Sequence, residues 1–202
     1  KVLADVNNFA NDLRSNTKDY IGDLQMVKIY QKAPEFTTDG YFEGKIQKFS
    51  LKEWQGKWTV LFFYPLDFTF VCPTELQQFS EKFDAFKRAN AQLASVSVDS
   101  AYSHEAWSKG VLKEQRYPML SDLNHAISTA YGCYLEDKGI ALRATYIIDP
   151  QGTLQWAEYN PLNVGRSADE VLRVLTALQT GELCGAGWKQ GEQTLSQKLA
   201  KK

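Results

Sequence analysis

The sequence has few of the residues that would mark a disulfide-stabilised, metal-binding or membrane-spanning chain. Its 202 residues include 3 cysteines and 2 histidines, and the formal net charge is -1. An odd, low number of cysteines does not suit a secreted disulfide scaffold, and the two histidines lack metal-ligand spacing. No apolar run approaches the ~18 residues of a membrane helix, and the balanced charge gives no general reason to bind nucleic acid. We therefore expect no metal, no membrane span, no nucleic-acid partner, and a reducing, cytoplasmic location.

The composition suits one ordinary domain with a substantial core. Hydrophobic residues make up 44% of the chain and aromatic residues 13%. A chain of this length buries roughly 70% of its unfolded surface, so it can fold without disulfides or metal. The sequence shows no internal repeat and no linker rich in Pro, Gly or Ser. We expect an N-terminal extension over residues 1–26 with amphipathic helical spacing, one domain over 27–180, and a C-terminal arm over 181–202.

The order of the predicted elements indicates an α/β fold. The segment KWTVLFFY, residues 57–64, is a continuous apolar run typical of a strand buried on both faces. Strand and helix first alternate, which favours parallel pairing, and a β-hairpin and a helix with the capping box Ser167–Glu170 follow. This is the order of a thioredoxin-like fold, with a central mixed sheet flanked by helices. The predicted strands cover 57–64, 92–98, 143–148 and 153–159, and the predicted helices cover 70–90, 103–115, 124–131 and 168–180.

Cys72 is the strongest candidate for chemistry in the chain. It lies at the predicted start of the helix that follows the buried strand. The positive end of a helix dipole favours the nucleophilic thiolate. A free cysteine is often just a small buried residue, but the flanking residues argue against that interpretation. Thr69 is close enough in sequence for its hydroxyl to donate to an oxygen bound at the sulfur. Pro65 can shield the site from water without adding a competing donor.

The other cysteines and the histidines are interpreted more simply. A thioredoxin-type reductant would have a second cysteine at position 75, where this chain has Glu75, so a general disulfide oxidoreductase is disfavoured. A partner thiol for Cys72 must therefore come from far along the chain, and the candidates are Cys133 and Cys184. Cys133 follows a short helical segment and is interpreted as a buried bystander. His104, in the segment SHEAW, is interpreted as structural.

The motif of Pro65, Thr69 and Cys72 resembles that of the typical 2-Cys peroxiredoxins, in the group that includes bacterial alkyl hydroperoxide reductase C-type proteins. This motif is highly specific for the family, and the resemblance extends over residues 27 to about 195. Arg143, in ALRATYIID, stands where the family has its active-site arginine. Arg166, in NVGRSADE, matches a second arginine of the family at the expected separation.

Two further positions carry the resemblance. Glu75 matches the family glutamate that bridges the two arginines, and Cys184, followed by Trp188 in the C-terminal arm, matches the resolving cysteine. The resemblance implies that Cys72 attacks a peroxide and becomes a sulfenic acid. It implies that Cys184 of the partner subunit then forms an intersubunit disulfide with it.

The resemblance also implies the substrates and partners of the protein. Hydrogen peroxide and alkyl hydroperoxides are the expected substrates, and a thioredoxin or a flavoprotein disulfide reductase is the expected reductant. No metal or organic cofactor is required. The expected assembly is a homodimer, and dimers of this group often associate into ring-shaped decamers. The alternative function is that of a thioredoxin-fold chaperone or peroxide-signalling scaffold.

Overall fold

The computed structural model describes residues 27–113 and 115–201, so the predicted N-terminal helix lies outside the described residues. The strands are β1 (Thr37–Phe42), β2 (Lys45–Ser50), β3 (Trp58–Phe63), β4 (Ala91–Ser97), β5 (Met119–Ser121), β6 (Tyr134–Leu135), β7 (Ile140–Ala141), β8 (Arg143–Ile148) and β9 (Leu154–Asn160). The helices are α1 (Cys72–Glu81), α2 (Phe83–Arg88), α3 (Ala101–Trp107), α4 (Ala126–Ala130), α5 (Ala168–Thr180) and α6 (Leu195–Leu199). Seven strands form one mixed sheet in the order β2-β1-β5-β4-β3-β8-β9, and β6 pairs with β7 separately.

Strand β3 lies in the interior of the sheet, as its apolar sequence predicts. It pairs parallel with β4 on one side and antiparallel with β8 on the other. Val60, Leu61, Phe62 and Phe63 are all 0% exposed, because helices or loops cover both faces of the strand. The ring of Phe62 stacks on that of Phe79 in α1 with centroids 4.1 Å apart. This contact fixes α1, and the cysteine that begins it, against the centre of the sheet.

The hairpin of β1 and β2 is an element that the sequence analysis missed. Its turn is formed by Glu43 and Gly44, which both have positive φ, at 48° and 77°. Such a two-residue turn matches the twist of the paired strands. Most residues of these strands are exposed or half-buried, so the strands lack the apolar pattern that identified β3. Strand β1 also pairs with β5 through Gly40, where an added Cβ would lie 2.8 Å from the carbonyl oxygen of Met119.

The single helix predicted over 70–90 is wrong, because the structure has two helices that meet at Lys82. The residue has φ -87° and ψ 0°, and it ends α1 and begins α2. Its N–H donates to Gln78 O at 3.1 Å, while its carbonyl accepts from the N–H of Ala85 at 2.9 Å. The change of direction lets Phe86 reach the same buried cluster as Phe79, and both side chains are 0% exposed. Pro73 is in the first turn of α1, as predicted.

The predicted helix over 103–115 also differs from the structure. Helix α3 begins earlier, after Ser100, whose hydroxyl oxygen accepts a hydrogen bond from the N–H of Ser103. Beyond Trp107 the chain forms a π-helical turn over Ser108–Leu112 rather than a longer α-helix. This turn ends at Lys113, where φ is 67°. The shorter α3 presents its first turns to the loop that precedes α1.

The C-terminal half follows the predicted order closely. Strands β8 and β9 form the expected antiparallel hairpin, and α5 begins after Ser167, whose Oγ accepts from the N–H of Glu170 at 3.3 Å. Gly181 ends α5 with φ 65°. The arm beyond it packs back on α5, where Arg173 Nη1 donates to Trp188 O at 3.2 Å. No helix within the described ranges is long and apolar enough to cross a membrane.

Candidate active site

Cys72 lies at the junction of a loop and a helix, next to an arginine from the neighbouring strand. The loop over residues 64–71 follows β3, and Cys72 is the first residue of α1. Because β8 pairs with β3, Arg143 at the start of β8 comes close to this junction. Its Nη1 is 3.4 Å from the sulfur of Cys72, which is 0% exposed. The guanidinium donates a hydrogen bond to the sulfur, and a charged donor in this place can hold a negatively charged atom that reacts there.

Glu75 connects the two arginines that the sequence analysis singled out. One oxygen accepts from Arg143 Nη1 at 2.5 Å. The other accepts from Nε and the backbone N–H of Arg166, at 2.8 Å and 2.9 Å. Glu75 is 2% exposed, Arg143 3% and Arg166 5%, so solvent screens these charges little. The trio carries one net positive charge, which a thiolate at Cys72 would neutralise.

Backbone carbonyl groups fix the orientation of both guanidinium groups. Arg143 Nε donates to Leu162 O at 2.8 Å. Arg166 Nη1 donates to Phe63 O at 2.6 Å and to Ala144 O at 2.8 Å, which ties it to β3 and β8. Charged donors make short, strong hydrogen bonds in such surroundings. The arginines are therefore held in place before any ligand arrives.

The loop residues Pro65 and Thr69 lie near the start of α1. Pro65 is buried and Thr69 is half-buried. The hydroxyl of Thr69 donates to Leu66 O at 2.9 Å, within the same loop. To donate to an oxygen bound at Cys72, as the sequence analysis expects, this hydroxyl must first break its hydrogen bond to Leu66 O.

A buried polar network behind the loop is a feature that the sequence analysis did not assign to the site. The carboxylate of Asp67 accepts from Tyr64 Oη and from Ser103 Oγ, both at 2.7 Å, and it pairs with His104 Nδ1 at 2.9 Å. The N–H of Asp67 donates to Asp99 Oδ2 at 2.9 Å. Burial raises the pKa of Tyr64 well above its usual value, and it also raises the pKa of Asp99. Asp67 stands between the motif residues in sequence, but its partners are far along the chain and follow no local pattern.

The three cysteines are free thiols in three different environments. Cys184 is half-buried in the C-terminal arm, with its sulfur 3.4 Å from Thr180 Oγ1 near the end of α5. Cys133 is 0% exposed, and burial raises the pKa of its thiol. Neither its position nor its protonation suits a nucleophile. Within residues 27–113 and 115–201, no group of three or more His, Cys, Asp or Glu side chains could hold a metal ion.

Comparisons with known proteins agree with this geometry. The sequence model of the AhpC/TSA family matches residues 29–157 of this chain. The chain is 46% identical over 171 residues to the thioredoxin peroxidase of Echinococcus granulosus, covering 80% of this chain and 89% of that protein. It is 46% identical over 173 residues to the putative peroxiredoxin YkuU of Bacillus subtilis, covering 82% of this chain and 96% of that protein. The crystal structure of reduced Plasmodium vivax 2-Cys peroxiredoxin superimposes with a TM-score of 0.80 at 36% identity, covering 83% of this chain and 92% of that one. The predicted thioredoxin-like fold is thereby confirmed.

Proposed function

Since this chain belongs to the AhpC/TSA family and is a thiol-dependent peroxidase, we propose that Cys72 is its peroxidatic nucleophile. The observation that carries the proposal is the 3.4 Å contact between Arg143 Nη1 and the buried sulfur of Cys72. The same arginine is paired with Glu75, so its position does not depend on the substrate. Cys72 has a guanidinium within hydrogen-bond distance of its sulfur, whereas Cys133 lies in an apolar cluster.

The first step is attack by the Cys72 thiolate on one oxygen of the peroxide. An S–O bond forms and the O–O bond breaks, and the second oxygen leaves with the electron pair of that bond. A proton converts the leaving group to water or to an alcohol, and Cys72 becomes a sulfenic acid. Arg143 donates hydrogen bonds to the reacting oxygens as negative charge moves onto them. Hydrogen peroxide and alkyl hydroperoxides both fit this chemistry.

The neighbouring residues have supporting roles in this step. Glu75 and Arg166 hold Arg143 in position through the hydrogen bonds described above. Thr69 donates its hydroxyl hydrogen to a peroxide oxygen once it releases Leu66 O. Pro65 is buried and has no N–H, so it excludes water without competing for the substrate.

The second step is resolution of the sulfenic acid by Cys184 of the partner subunit. The Cys184 sulfur attacks the Cys72 sulfur, a disulfide forms, and the hydroxyl group leaves as water. A disulfide requires Cα atoms about 4.4 to 6.8 Å apart, so the two segments must approach each other closely. Cys72 is part of a helix and Cys184 is held at the end of α5, and both segments must rearrange locally. A thioredoxin or a flavoprotein disulfide reductase then reduces the disulfide.

The division of the chain follows from these roles. Residues 27–180 form the catalytic domain, residues 181–202 form the arm that carries the resolving cysteine, and residues 1–26 are an extension. A homodimer is the minimal active assembly, because each site takes its resolving cysteine from the other chain. Ring-shaped decamers of five dimers are compatible with this scheme. A cytoplasmic location fits three cysteines that are free thiols.

Peroxide consumption coupled to thioredoxin tests the proposal. Cys72→Ser is expected to lose all activity. Cys184→Ser is expected to react once with peroxide and then to lose thioredoxin-dependent turnover. Cys133→Ala is the matched control and is expected to keep wild-type activity. Retention of full peroxide consumption by Cys72→Ser would refute the mechanism and leave the chaperone or signalling scaffold as the alternative.

A non-reducing gel tests the intersubunit disulfide. Peroxide should convert the wild-type chain to a covalent dimer, and reductant should reverse this change. Cys72→Ser and Cys184→Ser should each remain monomeric on the gel. A covalent dimer that persists in either variant would contradict the assignment of that cysteine.

A further inference from the structure

The loop before Cys72 is anchored at one residue, Asp67. Its carboxylate has three polar contacts, with Tyr64, Ser103 and His104, at 2.7 to 2.9 Å. Its backbone N–H donates to Asp99 at 2.9 Å. The residue is 6% exposed. Three of these partners, Asp99, Ser103 and His104, lie outside the loop, so Asp67 ties the loop to the segment over residues 99–104.

The contacts of His104 hold its ring from both sides. Nε2 is 3.1 Å from the carbonyl oxygen of Leu120, which can only accept a hydrogen bond, so Nε2 donates it. Nδ1 is 2.9 Å from Asp67 Oδ2, so a hydrogen bond joins these two atoms. His104 is therefore hydrogen-bonded through both ring nitrogens, to β5 and to the Asp67 carboxyl group. The two side chains are 0% and 1% exposed.

A fully buried hydrogen bond of this kind specifies one geometry, because a donor and an acceptor that separate in the protein interior have no water to replace the lost partner. His104 is on α3, and its other nitrogen is fixed to β5. The ring thus holds the Asp67 carboxyl group at a fixed place relative to β5 and α3.

Asp67 is directly connected to the reacting groups. Phe68, which follows it, has φ 56°, a left-handed conformation that turns the chain sharply. Thr69 follows and donates to Leu66 O, on the other side of Asp67. The loop then enters α1 at Cys72. A shift of Asp67 therefore moves Thr69 relative to the sulfur.

We propose that His104 is a positioning residue for the reaction of Cys72 with peroxide, acting through its buried hydrogen bond with Asp67. The proposal rests on the function proposed for Cys72 and adds a residue that does not touch the substrate. Without the imidazole ring, Asp67 loses this buried hydrogen-bond partner, and the loop no longer holds Thr69 and Cys72 in one arrangement. A misplacement of roughly 1 Å in such a site can cost on the order of 100-fold in rate.

The test compares two reactions of the same sulfur in His104→Gln. One is the second-order reaction of Cys72 with hydrogen peroxide, which needs the loop in place. The other is alkylation of Cys72 by iodoacetamide, which requires local opening around the buried sulfur but no hydrogen bond from Thr69 or Arg143 to a peroxide oxygen. Both are measured on the full-length chain carrying Cys133→Ala and Cys184→Ser, so that Cys72 is its single thiol. We expect the peroxide reaction to slow by at least about tenfold, with no decrease in alkylation rate.

Two further variants keep the test decisive. His125→Asn is the matched control, because His125 stacks on Tyr134 with ring centroids 4.5 Å apart and contacts no residue of the loop network. Asparagine tolerates the φ of 60° at that position, and wild-type rates are expected. If His104→Gln does not fold, the double variant Asp67→Asn/His104→Gln replaces it, because it removes both ionisable groups and retains a hydrogen-bonding pair. This variant is expected to fold and to react with peroxide more slowly than wild type.

The outcomes separate the proposal from the alternatives. Equal peroxide rates in the folded variant and the wild type would overturn it, and so would parallel losses in both reactions, which indicate a general structural role. Selective loss of the peroxide reaction supports it. Failure of the proposed function is a different result, namely peroxide consumption by Cys72→Ser.

Discussion

Replacing Glu75 by glutamine should strongly destabilise the protein while leaving the shape of the side chain almost unchanged. Glu75 is 2% exposed and accepts three hydrogen bonds from two arginines. Glutamine offers one acceptor oxygen, and its NH₂ group would face an arginine N–H. Two buried guanidinium groups would then lack their shared counter-charge. Removing one partner from a buried ion pair typically costs about 3–5 kcal/mol.

This magnitude translates into a clear change in thermal stability. For a chain of this length each kcal/mol lowers Tm by about 2–4 °C, so Glu75→Gln should lower Tm by roughly 6–20 °C. The measurement is thermal unfolding of the reduced, full-length protein followed by circular dichroism. The same variant should react more slowly with peroxide, because Arg143 loses the partner that orients it beside the sulfur.

Asp84→Asn is the matched control for this experiment. Asp84 pairs with Arg116 at 2.6 Å, a distance close to that between Glu75 and Arg143, but both side chains are about half exposed. Exposed pairs contribute little to stability, so its Tm should stay near that of the wild type. If Glu75→Gln also kept the Tm of the wild type, the buried carboxylate would not be what stabilises the two arginines. The electrostatic account of the site would then be wrong.

Three other predictions follow from burial and packing. Cys133 should resist alkylation in the native protein and react only after denaturation, because burial raises its pKa; mass spectrometry of the modified sites checks this, and modification of Cys133 under native conditions would contradict it. Gly40→Ala should cost about 1–3 kcal/mol in urea unfolding, since its Cβ would meet Met119 O at 2.8 Å, whereas Gly110→Ala, with open space around it, should not. Burial raises the pKa of Glu158, which is 4.5 when unperturbed, so the folded state binds more protons than the unfolded state and stability falls as pH rises above that value. Glu158→Gln should therefore stabilise the protein at pH 7 more than at pH 4, and equal effects at both pH values would refute this sign.

The sequence predicted the elements whose stabilising interactions are local or strongly apolar. The run from Trp58 to Phe63 identified the interior strand, and Ser167 marked the start of α5. The hairpin of β1 and β2 escaped detection because its strands are largely polar and exposed. The break at Lys82 escaped as well, because the apolar spacing continues across it while the backbone changes direction.

The sequence likewise predicted some residues of the candidate site and missed others. Cys72 is recognisable from its flanking residues, and the arginines were found through family resemblance. The pairing of Asp67 with His104 was not predicted, because it joins residues 37 positions apart that belong to a loop and a helix. Burial of both groups is a tertiary property, and only the packing of α3 against the loop creates it.

The break at Lys82 limits how much of the structure must rearrange in the resolution step proposed above. Helix α2 has its own hydrogen bonds to the Lys82 carbonyl, from Ala85 at 2.9 Å and Phe86 at 3.2 Å. It therefore does not rely on α1 to remain helical. In the resolution step proposed above, unwinding of α1 can stop at Glu81, so that α2 and β4 keep their places. Under that proposal α1 refolds next to an intact helix, and each turnover exposes only this one helical segment to misfolding.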